Sequence, residues 1–536
     1  MTETTPAASP PLRRRTTEEP SVEKTVDESA SAESTPVEDT SVEAAATRQN
    51  GTDRAAAQQT VWEEDFATPA PRSGGGAWSG LRPLLLRLHF YAGVLIGPFL
   101  LVAAVTGLLY TATPQIESVL YHHELKVTPH GDPKPLAVQV NSAREAVPGG
   151  RLVSVTMGAG DNDTTRVTFE VEGLPEGYTQ TAFVDPYDAE VHGTLRTFGE
   201  WLPVRSWFDS LHRTLHLGEF GRYYSEIAAS WLWVEVLGGL ALWLGAPRGR
   251  ERLRALFVPR RGRKGRKRVL SWHGAVGLWV AAGFLALSAT GLTWSAYAGV
   301  NIGRIQDALG GATPSVSSSL GSTTQGSGSV GGGPSAGSPT ARVDLDDAVR
   351  IARSEGLRGK LVISPPPDGR SAYVVEENTR HWPEQQDSVA IDPATGRVLD
   401  KLVFDDFPLL AKLTRWGIDA HMGLLFGLAN QIALAVIALA LIAMLLWGYR
   451  MWWLRRPTRA GGTRPGRPPA RGAWRRVPGR VMAPLVVVTA VLAYFLPLFG
   501  LPLACFLLAD PAVAQVRRRG RARTEARAGS PEEVAR

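Results

Sequence analysis

The sequence predicts an α-helical integral membrane protein with a four-helix transmembrane core and two small α+β modules outside the membrane. Three observations lead to this fold class. Apolar residues are concentrated in a few blocks that hold almost no charge, the connections between the blocks alternate between strongly basic and mixed charge, and one long apolar segment recurs downstream in similar form. A chain of 536 residues that is 44% hydrophobic hides this concentration in its average composition.

The apolar blocks are long enough to cross a bilayer, which takes roughly 20 residues of helix. Residues 88–116, 269–303 and 420–449 contain no Asp, Glu, Lys or Arg. Residues 227–246 form a fourth block that is interrupted by a single glutamate. A fifth apolar region, 481–509, contains three prolines, and we expect either one kinked span or a short hairpin there.

The chain repeats itself. The segments "LHFYAGVLIGPFLLVAAVTGLLY" and "WHGAVGLWVAAGFLALSATGLTW" each carry a histidine, His89 or His273, followed seventeen residues later by Thr-Gly. Further along each half, "DPYDAEV" matches "DPATGRV", and the histidines of "LHRTLHLGEFGR" and "AHMGLLFGLANQ", His212 and His421, each stand six residues before a glycine. A duplicated unit of span, module and span explains all of these matches.

The loops predict the orientation, because Lys and Arg are retained on the cytoplasmic side. The connection 247–268 is densely basic with one acid, and 450–476 is basic with none, so both are predicted inside. Residues 117–226 and 304–419 carry many acids and are predicted outside. Both termini are then cytoplasmic in a multi-pass protein of the bilayer. Because the basic segments flank spans, we expect no nucleic-acid partner.

The predicted organisation assigns a role to nearly every part of the chain. The first 80 residues are too poor in large apolar side chains to fold, and they lack a conventional signal peptide. The single Cys505 lies in the fifth apolar region, which excludes a disulfide in the modules. In chain order the predicted parts are a disordered cytoplasmic tail (1–80), span one (84–113), module one (114–205), span two with an outer extension (206–246), a basic cytoplasmic loop (247–270), span three (271–298), a Gly/Ser linker (310–340), module two (341–405), span four with an outer extension (415–452), a second basic loop (453–480), the apolar hairpin or span (481–509) and a cytoplasmic tail (510–536).

The four repeated histidines form a pair at each end of the predicted bundle. Spans one and three run outward, so His89 and His273 lie at the cytoplasmic end, whereas His212 and His421 lie at the outer end. Facing side chains in a helix bundle build haem sites, and paired imidazoles suit low-spin iron in electron transfer. The pattern predicts two haem b groups, with these four histidines as the iron ligands, forming a transmembrane electron path.

Other interpretations of these residues stay open. A single histidine at a membrane border is usually an interfacial polar group, and duplication copies a structural histidine as readily as a ligand. His216 stands four residues after His212, on the same face of a helix, and is an alternative ligand or a hydrogen-bond partner of the ligand. Glu235 is an acid within a span, where it has either a functional or a structural hydrogen-bonded role, and Met444 takes its place in span four.

The order of the elements "HFYAG", "LHRTLHLGEFGR", "WHGAVGLW" and "DAHMGLLFGLANQ", with the two Asp-Pro modules, resembles the PepSY-associated transmembrane helix family from about residue 84 to 453. This resemblance implies a bacterial inner-membrane protein linked to iron uptake. Some members look like dihaem reductases that release iron from ferric siderophores at the outer face. It implies His89, His273, His212 and His421 as haem ligands, a ferric siderophore or other iron chelate as the acceptor, and membrane quinol or a cytoplasmic protein as the electron donor.

Two other classes of function compete with a haem-dependent ferric-siderophore reductase. A non-enzymatic PepSY membrane protein would use its modules to bind or regulate a peptidase or a peptide, with histidines that are structural. An auxiliary membrane transporter would use Glu235 and the bundle as an ion path. Bound haem separates the reductase from both alternatives, because neither of them needs it.

Overall fold

The computed structural model of the chain describes residues 77–246, 253–320, 343–368, 370–455, 469 and 472–528. Nearly all of the predicted cytoplasmic tail (1–80), most of the Gly/Ser linker (310–340) and parts of both basic loops lie outside the described residues. In chain order the helices and strands are α1 (Ala77–Leu95), α2 (Gly97–Tyr110), α3 (Thr113–Leu120), α4 (His122–Leu125), α5 (Leu136–Ala146), β1 (Arg151–Thr156), β2 (Thr165–Glu170), β3 (Tyr178–Val184), β4 (Val191–Phe198), α6 (Pro203–Thr214), α7 (Gly218–Leu244), α8 (Arg254–Phe257), α9 (Gly265–Thr293), α10 (Ala298–Ala308), α11 (Leu345–Ser354), β5 (Leu361–Ser364), β6 (Tyr373–Glu377), β7 (Ser388–Ile391), β8 (Val398–Leu402), α12 (Leu409–His421), α13 (Gly427–Trp453), α14 (Gly479–Phe495) and α15 (Pro497–Ala528), with short 3-10 turns at Phe404–Asp406 and Ala473–Arg476.

Long apolar helices dominate the chain. Within the described residues, five helical segments have the length and composition to cross a membrane, and a sixth apolar helix, Gly479–Phe495, is shorter. Helices α2, α7, α9 and α13 pack in a closed ring, α2 against α7 and α13 and α9 against the same two, and α1 extends α2 along α7. The protein is therefore a helical membrane protein. The five segments are Gly97–Leu120, Gly218–Leu244, Gly265–Thr293, Gly427–Trp453 and Pro497–Val516.

The first helix begins earlier than expected. Residues 77–80 were predicted as the end of the disordered tail, but helix α1 already includes them. The Trp78 indole N–H donates to the carbonyl of Gly245 at 3.2 Å, and a side chain at Gly245 would collide with the indole ring. The prediction of a disordered tail is wrong for these four residues. Their composition alone does not favour a helix, but the contact with the end of α7 stabilises one.

The fifth apolar region forms two helices. Helix α14 ends at Phe495 and α15 begins at Pro497, and the two helices pack against each other. Trp231 of α7 donates its indole N–H to the carbonyl of Leu498 at 3.2 Å, which attaches this pair to the bundle. Helix α15 continues to Ala528, so most of the predicted cytoplasmic tail 510–536 is helical. The exposed thiol of Cys505 lies on α15.

The strands of both predicted modules form one sheet. Its eight strands are antiparallel neighbours in the order β4-β3-β2-β1-β5-β6-β7-β8. Helices α5 and α11 cover one face, where a core of buried aliphatic residues includes Val155, Val167, Leu361 and Ile363. Burial alternates along β2 and β5, so that Val167 and Phe169 of β2 and Leu361 and Ile363 of β5 lie in this core.

The expectation of two separate modules needs correction at the β1–β5 contact. Val155 pairs with Ile363 and Thr156 pairs with Val362, so the two four-stranded halves share a hydrogen-bonded boundary. Each half alone would leave an open strand edge there, which favours pairing with another strand. The sequence pattern identifies the strands, but it does not show that the free edges of the two modules pair with each other.

We predict that the sheet lies on the extracytoplasmic side of the cell membrane and that both chain termini lie in the cytoplasm. Reporter fusions placed after Gly310 and after Arg459 should then give opposite answers, with a periplasmic enzyme active only at the first position and a cytoplasmic fluorescent protein bright only at the second. If both fusions report the same side, the number of spans between them is wrong and the proposed separation of the histidine pairs across the membrane fails.

Candidate functional site

The bundle carries one pair of histidines at each end. We call His212 and His421 the sheet-end pair, because α6 and α12 connect them to the sheet, and His89 and His273 the far-end pair. Seventeen residues of helix separate His89 from the level of the sheet-end pair, a rise of roughly 25 Å at about 1.5 Å per residue. This distance is close to the thickness of a bilayer core.

The far-end imidazoles face each other. The ring centroids of His89 and His273 lie 6.3 Å apart with an interplanar angle of 76°. His273 Nδ1 lies 3.2 Å from the carbonyl oxygen of Met444 in α13, which accepts its N–H. His89 Nδ1 lies 2.7 Å from Glu235 Oε2 in α7. Nε2 of each ring therefore remains for a ligand, since no described residue hydrogen-bonds to either of these atoms.

The contact between His89 and Glu235 has hydrogen-bond length, but the ring is turned away from an ideal hydrogen-bond angle. A small rotation about the terminal torsion of either side chain would bring His89 Nδ1 and Glu235 Oε2 into hydrogen-bond geometry at little cost, because these torsions are broad. Small residues allow the two helices to approach here. A methyl group on Gly239 would lie 3.1 Å from His89 Cε1, and one on Gly93 would lie 3.9 Å from Glu235 Oε2.

The sheet-end histidines are held by the threonines of the repeated Thr-Gly. His212 Nδ1 lies 2.9 Å from Thr106 Oγ1, and His421 Nδ1 lies 2.6 Å from Thr290 Oγ1. Each hydroxyl donates its own proton to a carbonyl four residues earlier in its helix. The hydroxyl oxygen therefore accepts the Nδ1 proton, which leaves a lone pair on Nε2 of each ring.

The glycine of each Thr-Gly lies beside the same ring. A methyl group added to Gly107 would lie 3.1 Å from His212 Cε1, and one added to Gly291 would lie 3.9 Å from His421 Cε1. The first distance is tighter than an ordinary contact, whereas the second is not. The repeated Thr-Gly thus supplies a hydrogen-bond acceptor and, at Gly107, the space for an imidazole.

Two left-handed glycines re-aim the chain after the sheet-end histidines. His212 lies near the end of α6 and His421 is the last residue of α12. Gly218 and Gly427, which begin the following membrane helices, have φ of 56° and 54°, a conformation that favours glycine. The residues between each histidine and the following glycine therefore form a sharp turn, which joins a short helix to a membrane helix in both halves of the chain.

A cavity opens between the helices at the sheet end. His212 and His421 both line it, and most of its wall is apolar side chains from α2, α7, α9 and α13. Arg213 and Arg222 also line it. Arg213 pairs with Asp209 at 3.0 Å, while Arg222 lies 3.6 Å from the highly exposed Glu219. Such an apolar cleft with a few charged groups suits a flat, largely apolar ligand with anionic substituents.

His216 does not join the sheet-end pair. Helix α6 ends at Thr214, and Leu215 and His216 then adopt φ of 51° and 56°, so His216 is not one turn further along the face of His212. Its exposed ring lies 4.9 Å from that of Trp207. The expectation that His212 and His216 share a helix face is wrong, because the helix is interrupted between them.

A charged layer connects the sheet to the helix of His421. Asp419, two residues before His421, is fully buried and accepts hydrogen bonds from Arg380 at 2.8 and 2.5 Å. Arg380 also donates to Glu200 at 2.6 Å. Burial alone would raise the pKa of the Glu200 carboxyl, but Lys360 and Arg380 outweigh it and lower the pKa to about 2. Glu200 therefore stays ionised near neutral pH, and its bridge through Arg380 to Asp419 holds α12 against the sheet.

The histidines carry a signal in the sequence, whereas most of their partners do not. Glu235 stands out as an acid within a span, but nothing in the sequence pairs it with His89. Asp419, an acid two residues before a repeated histidine in "DAHMG", is a usable signal but was not among the predicted site residues. Arg380 and Glu200 gave no such signal, because they come from separate halves of the sheet and meet only in the folded chain.

Together, the apolar bundle, its paired histidines and the adjoining sheet define a multi-helix membrane protein with an attached antiparallel sheet. Residues 86–455 match the family described as the PepSY-associated TM region, and the chain belongs to that family. This match confirms the resemblance found in the sequence. Comparison with curated proteins gives no match.

Proposed function

We propose that the protein is a dihaem b-type electron-transfer protein of the bacterial cell membrane, which reduces ferric siderophores or other ferric chelates at the outer face during iron uptake. The observation that carries this proposal is the pairing of the histidines at both ends of the bundle. A neighbouring oxygen accepts the Nδ1 proton of His273, His212 and His421, and His89 Nδ1 lies 2.7 Å from Glu235 Oε2, while no described residue hydrogen-bonds to Nε2 of any of the four rings. Duplication alone can copy a structural histidine, but it does not require Nε2 to be left without a described partner in all four rings.

The residues at the far end fit a haem. His89 and His273 would hold the iron through Nε2, because their rings lie beside each other with centroids 6.3 Å apart and each Nδ1 faces a neighbouring oxygen. The described residues form no cluster of three or more His, Cys, Asp or Glu side chains suited to a metal ion. A porphyrin iron needs only two protein ligands, because the macrocycle supplies the rest.

The residues at the sheet end fit the same group. His212 and His421 line one cavity whose wall is mostly apolar, as the faces of a porphyrin require, and Arg213 and Arg222 provide positive charge for its carboxylates. Thr106 and Thr290 orient the two rings through Nδ1, which fixes the tautomer that donates a lone pair from Nε2. When bound, haem supplies an iron that alternates between the ferrous and ferric states and so carries one electron at a time.

The protein positions the two sites between packed helices. Apolar walls lower the local dielectric at the sheet end. Membrane quinol or a cytoplasmic donor would supply electrons at the far end. A ferric chelate would receive them at the sheet end.

We expect the purified protein to be coloured. Protein made in haem-replete cells should show a Soret band that shifts when dithionite is added, because low-spin haem held by two imidazoles changes its absorption on reduction. The absorption spectrum before and after reduction decides this. A colourless preparation that is fully folded would contradict the proposal and would favour a peptide-binding or transport function for the bundle.

A further inference from the structure

We infer that Glu235 lowers the reduction potential of the far-end pair below that of the sheet-end pair, so that electrons run downhill towards the sheet. This inference rests on the proposed function. It assigns to Glu235 a positioning and tuning role towards His89, and it gives the two otherwise similar ends of the bundle different electronic properties.

The four imidazoles differ in what holds their Nδ1 atoms. At the sheet end both acceptors are threonine hydroxyls, which are neutral. At the far end the acceptor for His273 is the neutral backbone carbonyl of Met444, whereas the group beside His89 is the carboxylate of Glu235. One of the four rings therefore has an anionic partner, and that ring belongs to the far-end pair.

No cationic side chain among the described residues neutralises the charge of Glu235. Its side chain is 12% exposed, and its Oε1 atom is buried without a hydrogen-bond partner. Among the described residues, His89 is the ion-pair partner of Glu235, and no Lys or Arg approaches it within ion-pair distance.

A carboxylate that accepts the Nδ1 proton makes an imidazole a stronger electron donor through Nε2. Stronger donation and a nearby negative charge both stabilise ferric over ferrous iron, which lowers the reduction potential. This lowering of the reduction potential is larger inside a helix bundle than in water, because charges interact more strongly at low dielectric. The hydroxyl acceptors of His212 and His421 provide neither the charge nor comparable donation.

The resulting step is the transfer of one electron from the far-end site to the sheet-end site. The far-end iron is oxidised as the sheet-end iron is reduced, no bond is made or broken, and no proton is required. A quinol or another donor of electrons restores the far-end site, and a ferric chelate at the sheet end accepts the electron. The potential difference gives this sequence its direction.

The test is a potentiometric titration of the purified protein with both haems bound. In the natural protein we expect two one-electron components. Glu235→Gln retains the size of the side chain but removes its charge, and should raise the lower potential by about 59 mV or more, which is a tenfold change in the reduction equilibrium. The higher potential should stay where it was. Glu190→Gln, which removes an exposed carboxylate in the sheet domain, serves as the control and should change neither component.

A second measurement does not depend on the Glu235 variant remaining loaded. His421→Ala should lose the higher component and retain the lower one, and His273→Ala should do the opposite. Loss of the lower component with retention of the higher one in His421→Ala, or unchanged potentials in a fully loaded Glu235→Gln protein, would overturn this inference and leave the proposed function intact. Retention of both components by His421→Ala would instead contradict the assigned ligands. Absence of haem from the natural protein would instead overturn both.

Discussion

Replacing any one of the four paired histidines with alanine is expected to reduce the haem content from two per chain to one. His89→Ala and His273→Ala should each empty the far end and spare the sheet end, and His212→Ala and His421→Ala should do the reverse. The pairs should fail separately because each haem needs both axial ligands, and because roughly 25 Å of helix separates the two ends. Haem per polypeptide, measured after extraction, reports the result.

His216→Ala provides the matched control. It removes an imidazole only four residues from His212, but the ring of His216 is exposed beside Trp207 and does not line the cavity. This variant should retain both haems. Loss of haem in His216→Ala without loss in His212→Ala would transfer the ligand to His216, and two haems in all four paired variants would refute the assignment.

The second expected result concerns direction. Protein in sealed vesicles, reduced beforehand and freed of excess reductant, should be reoxidised by a membrane-impermeant ferric siderophore added on the side of the sheet. Each electron should produce one ferrous iron, which a ferrous chelator traps as a coloured complex. Addition on the opposite side should produce little reaction, because the proposed site of chelate reduction lies at the sheet end.

His421→Ala should abolish this reoxidation while its far-end haem can still be reduced, because the path lacks its last site. Reoxidation at an undiminished rate in that variant would mean that the chelate takes electrons elsewhere on the protein. If no ferric chelate reacts with the natural protein although both haems are bound and reducible, electron transfer stands but the proposed acceptor is wrong.

The membrane helices could be predicted because their signal is local. Runs of uncharged residues such as 269–303 and 420–449 specify a bilayer-spanning helix without reference to the rest of the chain. The same holds for the spacing from His89 to Thr106, which repeats from His273 to Thr290. It singled out the two threonines, and the structure shows that they hydrogen-bond to the sheet-end histidines His212 and His421.

Features that depend on two distant segments could not be predicted in this way. Glu235 contacts His89, 146 residues earlier, and Arg380 joins Glu200 to Asp419. The helix break between His212 and His216 was missed for another reason. "LHRTLHLGEFGR" has no proline or glycine before Gly218, and only the left-handed backbone at Leu215 reveals where the helix ends.

The ladder between β1 and β5 limits how the two halves of the bundle can move. Rocking of one half against the other, as in carriers that alternate access across a membrane, would strain the Val155–Ile363 and Thr156–Val362 pairs and the Arg380–Glu200 bridge between the halves. Tunnelling of electrons, by contrast, gains from fixed separations, because its rate falls steeply when donor and acceptor drift apart. The continuous sheet therefore restricts the relative motion of the two halves, which a carrier would require. It keeps the distances between sites in the bundle constant, as the proposed electron transfer would require.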